Sequence, residues 1–189
     1  MIQKGYTMFL EHIGRHLCVC GQKEVQPLLE RDKKFWSVIS IRYPAENKAV
    51  FRHHKRILHA FFDDADSTNV AEQKGLQAPT SAIIQDMLDF ANAEPSAPLL
   101  VHCRAGISRS SAFALALMLR GYPEQEILSR LDDALEQLLM IRPVANPNAL
   151  VLELALSSHL PPGTMHAVLQ KVHGHPAIRN NMSVNPLRI

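Results

Sequence analysis

The sequence has few cysteines, little net charge and no long apolar run, and each shortage narrows what the chain can be. Three cysteines in 189 residues are an odd number without framework spacing, which favours a reducing compartment, and we expect a cytoplasmic protein. Twenty basic against 18 acidic residues leave a net charge of +2, too balanced to indicate nucleic acid or an anionic membrane as partner. The apolar runs are far shorter than a bilayer span, and the N-terminus lacks a secretory pattern.

The most informative stretch covers residues 99–119. It begins with a short apolar run that predicts a buried strand, and residues 110–119 predict a helix that buries most of its surface. The loop between them runs from Cys103 to Arg109 with five residues in between. A helix N-terminus and the successive N–H groups of a tight loop both attract an anion. Gly106 allows the loop to turn where a Cβ would clash.

The residues at the ends of this loop suit phosphate chemistry. A thiol that faces such a positive field ionises readily, so Cys103 is a candidate nucleophile. Arg109 presents a planar fork of donors that binds two phosphate oxygens at once. Ser110 is placed to hydrogen-bond the sulfur and help it leave, whereas His102 is expected to fix the loop rather than touch substrate. The implied reaction is attack of the sulfur on phosphorus, followed by hydrolysis of the phosphocysteine.

The motif His102-Cys103-x5-Arg109-Ser110 resembles the signature of the protein tyrosine phosphatase superfamily, and residues 105–110 are similar to its dual-specificity branch. The resemblance implies hydrolysis of phosphomonoesters either on tyrosine alone or on serine and threonine as well. No metal or organic cofactor is expected, because the loop itself supplies the positive charge. The phosphate would be cradled by the backbone of Arg104, Ala105, Gly106, Ile107, Ser108 and Arg109. The alternative is that Cys103 is a buried core residue ahead of an amphipathic helix and has no catalytic role.

An acidic cluster formed by Asp63, Asp64 and Asp66 follows an apolar run at residues 57–62 that predicts a strand. Cleavage of a phosphate ester needs a proton for the leaving oxygen, and the resemblance implies that this acid follows such a strand upstream of the cysteine. The strand phase favours Asp64, with Asp63 as the next choice and Asp66 as the third. Alternatively, the three aspartates form an acidic turn that caps a helix and take no part in catalysis.

The remaining apolar patterns predict strands alternating with helices, which indicates an α/β fold with a central, mainly parallel, twisted sheet flanked by helices. Strands are predicted near residues 17–20 and 35–41, and helices over 24–34, 80–91, 123–139 and 149–156. We expect a dual-specificity-like phosphatase domain over residues 1–160. A C-terminal extension over residues 161–189 is expected to hold one short helix, at 164–172, and a tail that lies extended on the body or is partly disordered.

Three features support two interpretations each. Asn148 resembles the amide that braces the signature loop in the dual-specificity fold, and it suits the N-cap of a helix over 149–156 equally well. Cys18 and Cys20 are either small core residues, or one of them forms a protective disulfide with Cys103 under oxidation. The basic run at residues 52–56 is either a solvated face or a rim that attracts phosphorylated substrate.

Several classes of function remain open from the sequence. We favour a phosphatase whose partner is a phosphorylated protein or a small phosphoester. The apolar Ile107 counts against an inositol phosphate, because phosphoinositide phosphatases tend to be basic at this position. A phosphate-binding module without turnover would lack a usable acid, and the aspartate cluster counts against it. Sulfur or arsenate chemistry would need a partner thiol from Cys18 or Cys20.

Overall fold

A five-stranded sheet forms the centre of the molecule, which the computed structural model describes over residues 7–184. Its strands are β1 (Thr7–Leu10), β2 (Arg15–Gly21), β3 (Ser37–Arg42), β4 (Arg56–Phe61) and β5 (Leu99–Cys103). They lie in the order β1-β2-β5-β3-β4. Among the strand pairs within the described residues, only β1–β2 is antiparallel. The predicted α/β class with a mainly parallel central sheet is therefore confirmed.

Helices cover both faces of this sheet. They are α1 (Gln22–Arg31), α2 (Thr68–Lys74), α3 (Ser81–Asn92), α4 (Arg109–Arg120), α5 (Ile127–Ile141), α6 (Ala149–Leu156), α7 (Pro162–Gly174) and α8 (Pro176–Val184). The larger core lies on the face that α4 covers, and the smaller core lies on the face that α1 covers. No helix within residues 7–184 is both long and apolar enough to cross a membrane.

The two-sided core explains why the inner strands carry apolar residues on both faces. Successive side chains of a strand point to opposite faces, and in β2 Val19 enters the larger core while Cys18 and Cys20 enter the smaller one. Strands buried on both faces read as continuous apolar runs. The carboxyl ends of β2, β3 and β5 meet at one edge of the sheet, where open α/β folds place their ligands.

The helix capping predicted from the sequence is largely confirmed. Thr80 caps α3 by accepting from the N–H of Ile83 at 3.3 Å. Asn148 caps α6 by accepting from the N–H of Val151 at 2.9 Å, and α6 has the predicted bounds. Helix α2 was not predicted, because it is short and Ala71 is its one buried side chain.

The C-terminal extension is more regular than predicted. The expected short helix lies inside α7, but the tail expected to be extended forms α8 up to Val184. Val168 and Ile178 are fully buried in the larger core. The side-chain amide of Asn181 donates to two carbonyl oxygens of the segment before α6, at 2.8 Å each. These contacts hold α7 and α8 on the main body, and the division at residue 160 stays a prediction.

Candidate active site

The predicted strand, loop and helix around Cys103 are present. Cys103 ends the central strand β5, and Arg109 begins α4. Gly106 has a φ of 71°, and a Cβ on it would lie 2.4 Å from the carbonyl carbon of Cys20. The loop therefore packs directly on the end of β2, and only glycine combines this backbone angle with this close approach.

The carbonyl groups of the loop all point away from its centre. Each one accepts a hydrogen bond from outside: Arg104 from Gln22 N at 3.1 Å, Ala105 from Arg142 Nη2 at 2.8 Å, Gly106 from Arg142 Nε at 3.0 Å, Ile107 from Asn146 N at 2.8 Å, and Ser108 from Asn148 N at 3.4 Å. A trans peptide unit is planar, with its C=O and N–H on opposite sides. The N–H groups that follow these carbonyls are therefore turned towards the inside of the loop, where an anion would bind.

The sulfur of Cys103 lies among these donors. The N–H of Gly106 donates to Sγ at 3.2 Å, and the hydroxyl oxygen of Ser110 lies 3.2 Å from the same atom. Cys103 is 2% exposed, so the sulfur lies at the base of the loop rather than on the surface. The predicted proximity of Ser110 to the sulfur is confirmed.

Three contacts hold the Arg109 side chain, but none of them gives its Nε a hydrogen bond. Its Nη1 donates to the carbonyl of Phe62 at 2.7 Å, and its guanidinium carbon lies 4.2 Å from the centre of the Tyr43 ring. Nε lies 3.9 Å from Asp64 Oδ2 and has no hydrogen-bond partner within residues 7–184, although the side chain is 1% exposed. A buried guanidinium N–H without an acceptor is costly, and a bound oxyanion would accept from it.

Asp64 is the predicted acid that reaches the loop. Its Oδ1 accepts from the hydroxyl of Ser108 at 2.7 Å and from Nδ2 of Asn148 at 2.9 Å. Asp63 instead accepts from the N–H of Gln77 at 2.8 Å. The structure therefore brings Cys103, Arg109 and Asp64 to one place, and it places Asp63 on a different contact.

Asn148 connects α6 to the acidic segment. Besides its bond to Asp64, the side-chain amide donates to the carbonyl of Ala65 at 3.0 Å and lies 3.4 Å from Asp66 Oδ1. One of the two interpretations from the sequence was that this amide braces the signature loop; the other, the N-cap of α6, is confirmed. The side chain braces the aspartate segment rather than the signature loop, and only the backbone N–H of Asn148 reaches the loop, at Ser108.

His102 lies behind the loop, on the face of the sheet opposite to Cys103. Its Nδ1 is 3.4 Å from the carbonyl oxygen of Cys103, and the ring packs at 82° on Phe51. Burial lowers the pKa of His102 from 6.5 to about 4, with smaller contributions from nearby cations. The imidazole is therefore neutral at neutral pH, as suits a residue that supports the loop.

Sequence reasoning missed two side chains that shape the site. Tyr43 stacks on Arg109, and its ring also lies 5.7 Å from the guanidinium of Arg104. Arg142 binds two loop carbonyls and forms an ion pair with Glu24 at 3.1 Å. Arg142 lies six residues before Asn148, which the resemblance identified, but no residue pattern around Arg142 indicated this role.

The disulfide between Cys103 and a cysteine of β2 is excluded by the sheet. Cys18 and Cys20 lie in the smaller core, whereas Cys103 lies in the larger one. Disulfide formation needs Cβ atoms about 3.5–4.5 Å apart, which opposite faces of a strand pair do not provide. The interpretation of Cys18 and Cys20 as small core residues is confirmed, and a partner thiol for arsenate reduction is likewise out of reach.

The basic run at residues 52–56 does not lie along the edge of the site over its full length. Lys55 and Arg56 bind Glu94 at 2.6 and 3.1 Å. Arg56 begins β4. The beginning of a parallel strand lies at the opposite end of the sheet from the loop between Cys103 and Arg109, which we call the catalytic loop. These two cations are therefore remote from Cys103.

The strand, loop and helix that hold Cys103 and Arg109 define a phosphatase that uses a cysteine. The family model of the protein-tyrosine phosphatases matches residues 26–149, which is more than half of the chain. The chain therefore belongs to the protein-tyrosine phosphatase family, whose fold acts on phosphorylated substrates.

Three solved structures, one of them of a dual-specificity phosphatase, share the fold. DUSP15 has a TM-score of 0.56 at 19% identity, over 91% of this chain and 97% of that one. PTPMT1 in complex with PI(5)P has a TM-score of 0.52 at 17% identity, over 86% and 96%. The human tyrosine phosphatase-like serine/threonine/tyrosine-interacting protein has a TM-score of 0.51 at 22% identity, over 82% and 96%. No curated protein matches the chain by sequence.

Proposed function

We propose that the protein hydrolyses phosphotyrosine monoesters of protein substrates, and phosphoserine and phosphothreonine monoesters as well, through a phosphocysteine intermediate. The observation that carries this proposal is the convergence of Cys103 Sγ, the unused Nε of Arg109 and the carboxylate of Asp64 on one loop. A nucleophile, an oxyanion clamp and a proton donor are the three groups that phosphate-ester cleavage requires.

In the first step the sulfur of Cys103 attacks phosphorus and an S–P bond forms. The loop N–H groups and Arg109 bind the non-bridging oxygens, where negative charge accumulates in the transition state. The bond from phosphorus to the substrate oxygen breaks, and Asp64 gives that oxygen its proton. The dephosphorylated hydroxyl leaves, and the phosphate stays on the sulfur.

In the second step water attacks the phosphocysteine. The Asp64 carboxylate left by the first step takes the proton of the attacking water. The S–P bond breaks and the sulfur leaves with the bonding electrons. The N–H of Gly106 and the hydroxyl of Ser110, each 3.2 Å from Sγ, stabilise the resulting thiolate by donating hydrogen bonds to it. Inorganic phosphate is released as the dianion, and the thiolate of Cys103 and the protonated Asp64 are both restored, because Asp64 has regained from the water the proton that it gave to the leaving oxygen.

The test compares hydrolysis of p-nitrophenyl phosphate and of phosphotyrosine and phosphothreonine peptides by the native chain and by variants. We expect Cys103→Ser to lower kcat about 10³-fold or more while phosphotyrosine peptide still binds, and Asp64→Asn to lower kcat for the peptides about 10²-fold or more. The control is Cys18→Ser, which removes a thiol from the other face of the sheet and should keep the native rate.

A rapid quench with ³²P-labelled substrate tests the intermediate. Label should appear on the native chain within the first turnover and be absent from Cys103→Ser. Peptide binding by the native chain without turnover would favour a phosphate-binding module instead. Turnover restricted to inositol phosphates would replace the protein substrate by a lipid headgroup.

A further inference from the structure

A second basic site lies at the other end of α4 from the catalytic loop. A cavity of about 320 Å³ opens there, and we call it the arginine cavity. It is lined by Ile13, Arg15, Asn92, Pro95, Leu117, Arg120 and Gly121. Arg109 begins α4 and Arg120 ends it, so eleven steps of 1.5 Å along the helix axis separate the two residues by about 17 Å. An anion bound in the arginine cavity would not touch the catalytic loop.

The two arginines of this cavity have no carboxylate partner within residues 7–184. Arg15 is 5% exposed, and its Nη2 donates to the carbonyl oxygens of Ala91 and Glu94, while its Nε makes no hydrogen bond. Arg120 Nη1 donates to the carbonyl of Ala155 at 3.1 Å and lies 3.3 Å from the hydroxyl of Ser158. None of the seven lining residues is acidic.

The carboxylate of Glu94, a residue next to the cavity in the chain, binds other cations. Glu94 contributes its carbonyl oxygen to Arg15, but its carboxylate binds Lys55 and Arg56. Burial and the neighbouring charge of Arg56 both lower the pKa of Arg15, which is the direction expected of a buried cation that faces a second cation rather than an anion.

The charges of the helix ends do not balance the two arginines. Helices α3 and α4 both end at the cavity, and Arg120 also donates to Ala155 in the last turn of α6; each of these C-termini carries about half a negative charge. Two guanidinium groups against three half charges leave a net charge of about +0.5 in a concave and partly buried place. Burying a cation without an anionic partner is costly, so binding of an anion here relieves an existing penalty.

We propose that the arginine cavity binds a tetrahedral oxyanion, either the phosphate dianion or the phosphate group of a small phosphomonoester. A guanidinium fork fits the oxygens of such an anion in pairs. Arg120 would supply one fork, whereas Arg15, whose Nη2 already donates to two carbonyl oxygens, would donate a single hydrogen bond from its Nε. The exposed side-chain amide of Asn92 lines the same cavity and supplies a further donor. The cavity volume leaves room for a small organic group beside the phosphate.

The test is a titration of the ¹⁵N-labelled native chain with inorganic phosphate, followed by amide chemical shifts at constant ionic strength. The amides of Ile13, Asn92 and Gly121 should shift to saturation, with a dissociation constant separate from that read at Gly106 in the catalytic loop. A parallel titration with chloride should leave the cavity amides unchanged. Because each site reports through its own resonances, inactivity of the catalytic loop would not affect this result.

Variants decide whether the arginines bind the anion. Arg120→Gln should weaken phosphate binding at the cavity about tenfold or more, since it removes a charged donor, and leave the titration of Gly106 unchanged. The matched control is Arg179→Gln on α8, an exposed position that loses the same charge and should alter neither site. Asn92→Asp provides a second variant at an exposed position, and its added carboxylate should repel the anion. The proposal is overturned if the amide chemical shifts of the cavity residues change linearly with phosphate without saturating, or if chloride changes them equally. It is also overturned if both cavity variants give the same phosphate titration as the native chain.

Discussion

Replacing Arg142 by alanine should disable the catalytic loop although Arg142 contacts no reacting atom. Its guanidinium donates to the carbonyl of Ala105 at 2.8 Å and to that of Gly106 at 3.0 Å. The first of these carbonyls shares a peptide unit with the N–H of Gly106, which donates to Cys103 Sγ at 3.2 Å. Because the unit is planar, loss of the bond to its oxygen frees the rotation that keeps its N–H on the sulfur.

The size of the effect follows from the number and burial of these bonds. Arg142 is 8% exposed, and a hydrogen bond from a charged group contributes about 1.5–3 kcal/mol. Two such bonds predict a loss of about 3 kcal/mol or more in the free energy of unfolding. The ion pair with Glu24, whose side chain is 31% exposed, adds little. A shift of the loop donors by 1 Å predicts a fall of about 100-fold in kcat/KM.

Urea unfolding and the kinetics of aryl phosphate hydrolysis measure the two effects separately. Arg142→Lys should recover part of the stability but little of kcat/KM, because an ammonium lacks the fork that binds both carbonyls. The control is Arg130→Ala on α5, whose side chain is half exposed and whose loss should change stability by less than about 0.5 kcal/mol. If Arg142→Ala loses stability but keeps the native kcat/KM and the native inhibition constant of phosphate, other contacts orient the loop and the argument is wrong.

Two further predictions concern stability alone. Gly106→Ala should cost about 2–4 kcal/mol in urea unfolding, since it adds a backbone clash to the strain of a positive φ. Gly75→Ala, with a φ of 64° and no atom within 4 Å of the added Cβ, should cost only about 1 kcal/mol. If the two variants lose the same free energy of unfolding, a backbone clash at Gly106 does not contribute. Burial lowers the folded pKa of His102 from 6.5 to about 4, so its stabilisation is complete above pH 6.5 and is lost as the pH falls towards 4, by about 2 kcal/mol at pH 5. His102→Asn should reduce this decrease in the free energy of unfolding at acid pH. If the decrease is unchanged in the variant, His102 is not its cause.

Local signals made part of the fold predictable. Residues 99–119 combine an apolar strand, a tight loop and an apolar helix, and the observed β5 and α4 lie where this pattern places them. Helix α6 was predicted to the residue, because Asn148 marks its start and its apolar side chains continue to Leu156. Helices α2 and α8 were not predicted, since each buries one or two side chains and so leaves no periodic pattern.

The candidate site was predictable to the extent that it is local. Cys103, Arg109 and Ser110 belong to one short motif, and Asp64 could be ranked first because strand phase indicates which side chains share a face. Arg142 binds a carbonyl 36 residues away in the chain, and nothing in the residues around an arginine indicates which oxygen it will bind. Contacts of this kind depend on how the finished sheet brings distant segments together.

The separation of the cysteines by the sheet governs how the enzyme responds to peroxide. A sulfenic acid formed on Cys103 meets no second thiol of its own chain, because the other two cysteines lie behind the strands. Recovery then requires glutathione or another soluble thiol, or closure of a sulfenamide ring onto a backbone nitrogen of the loop. Where neither occurs, oxidation continues to the sulfinic acid and the loss is permanent. The thiol content of the surrounding solution therefore sets how long an oxidised molecule stays recoverable.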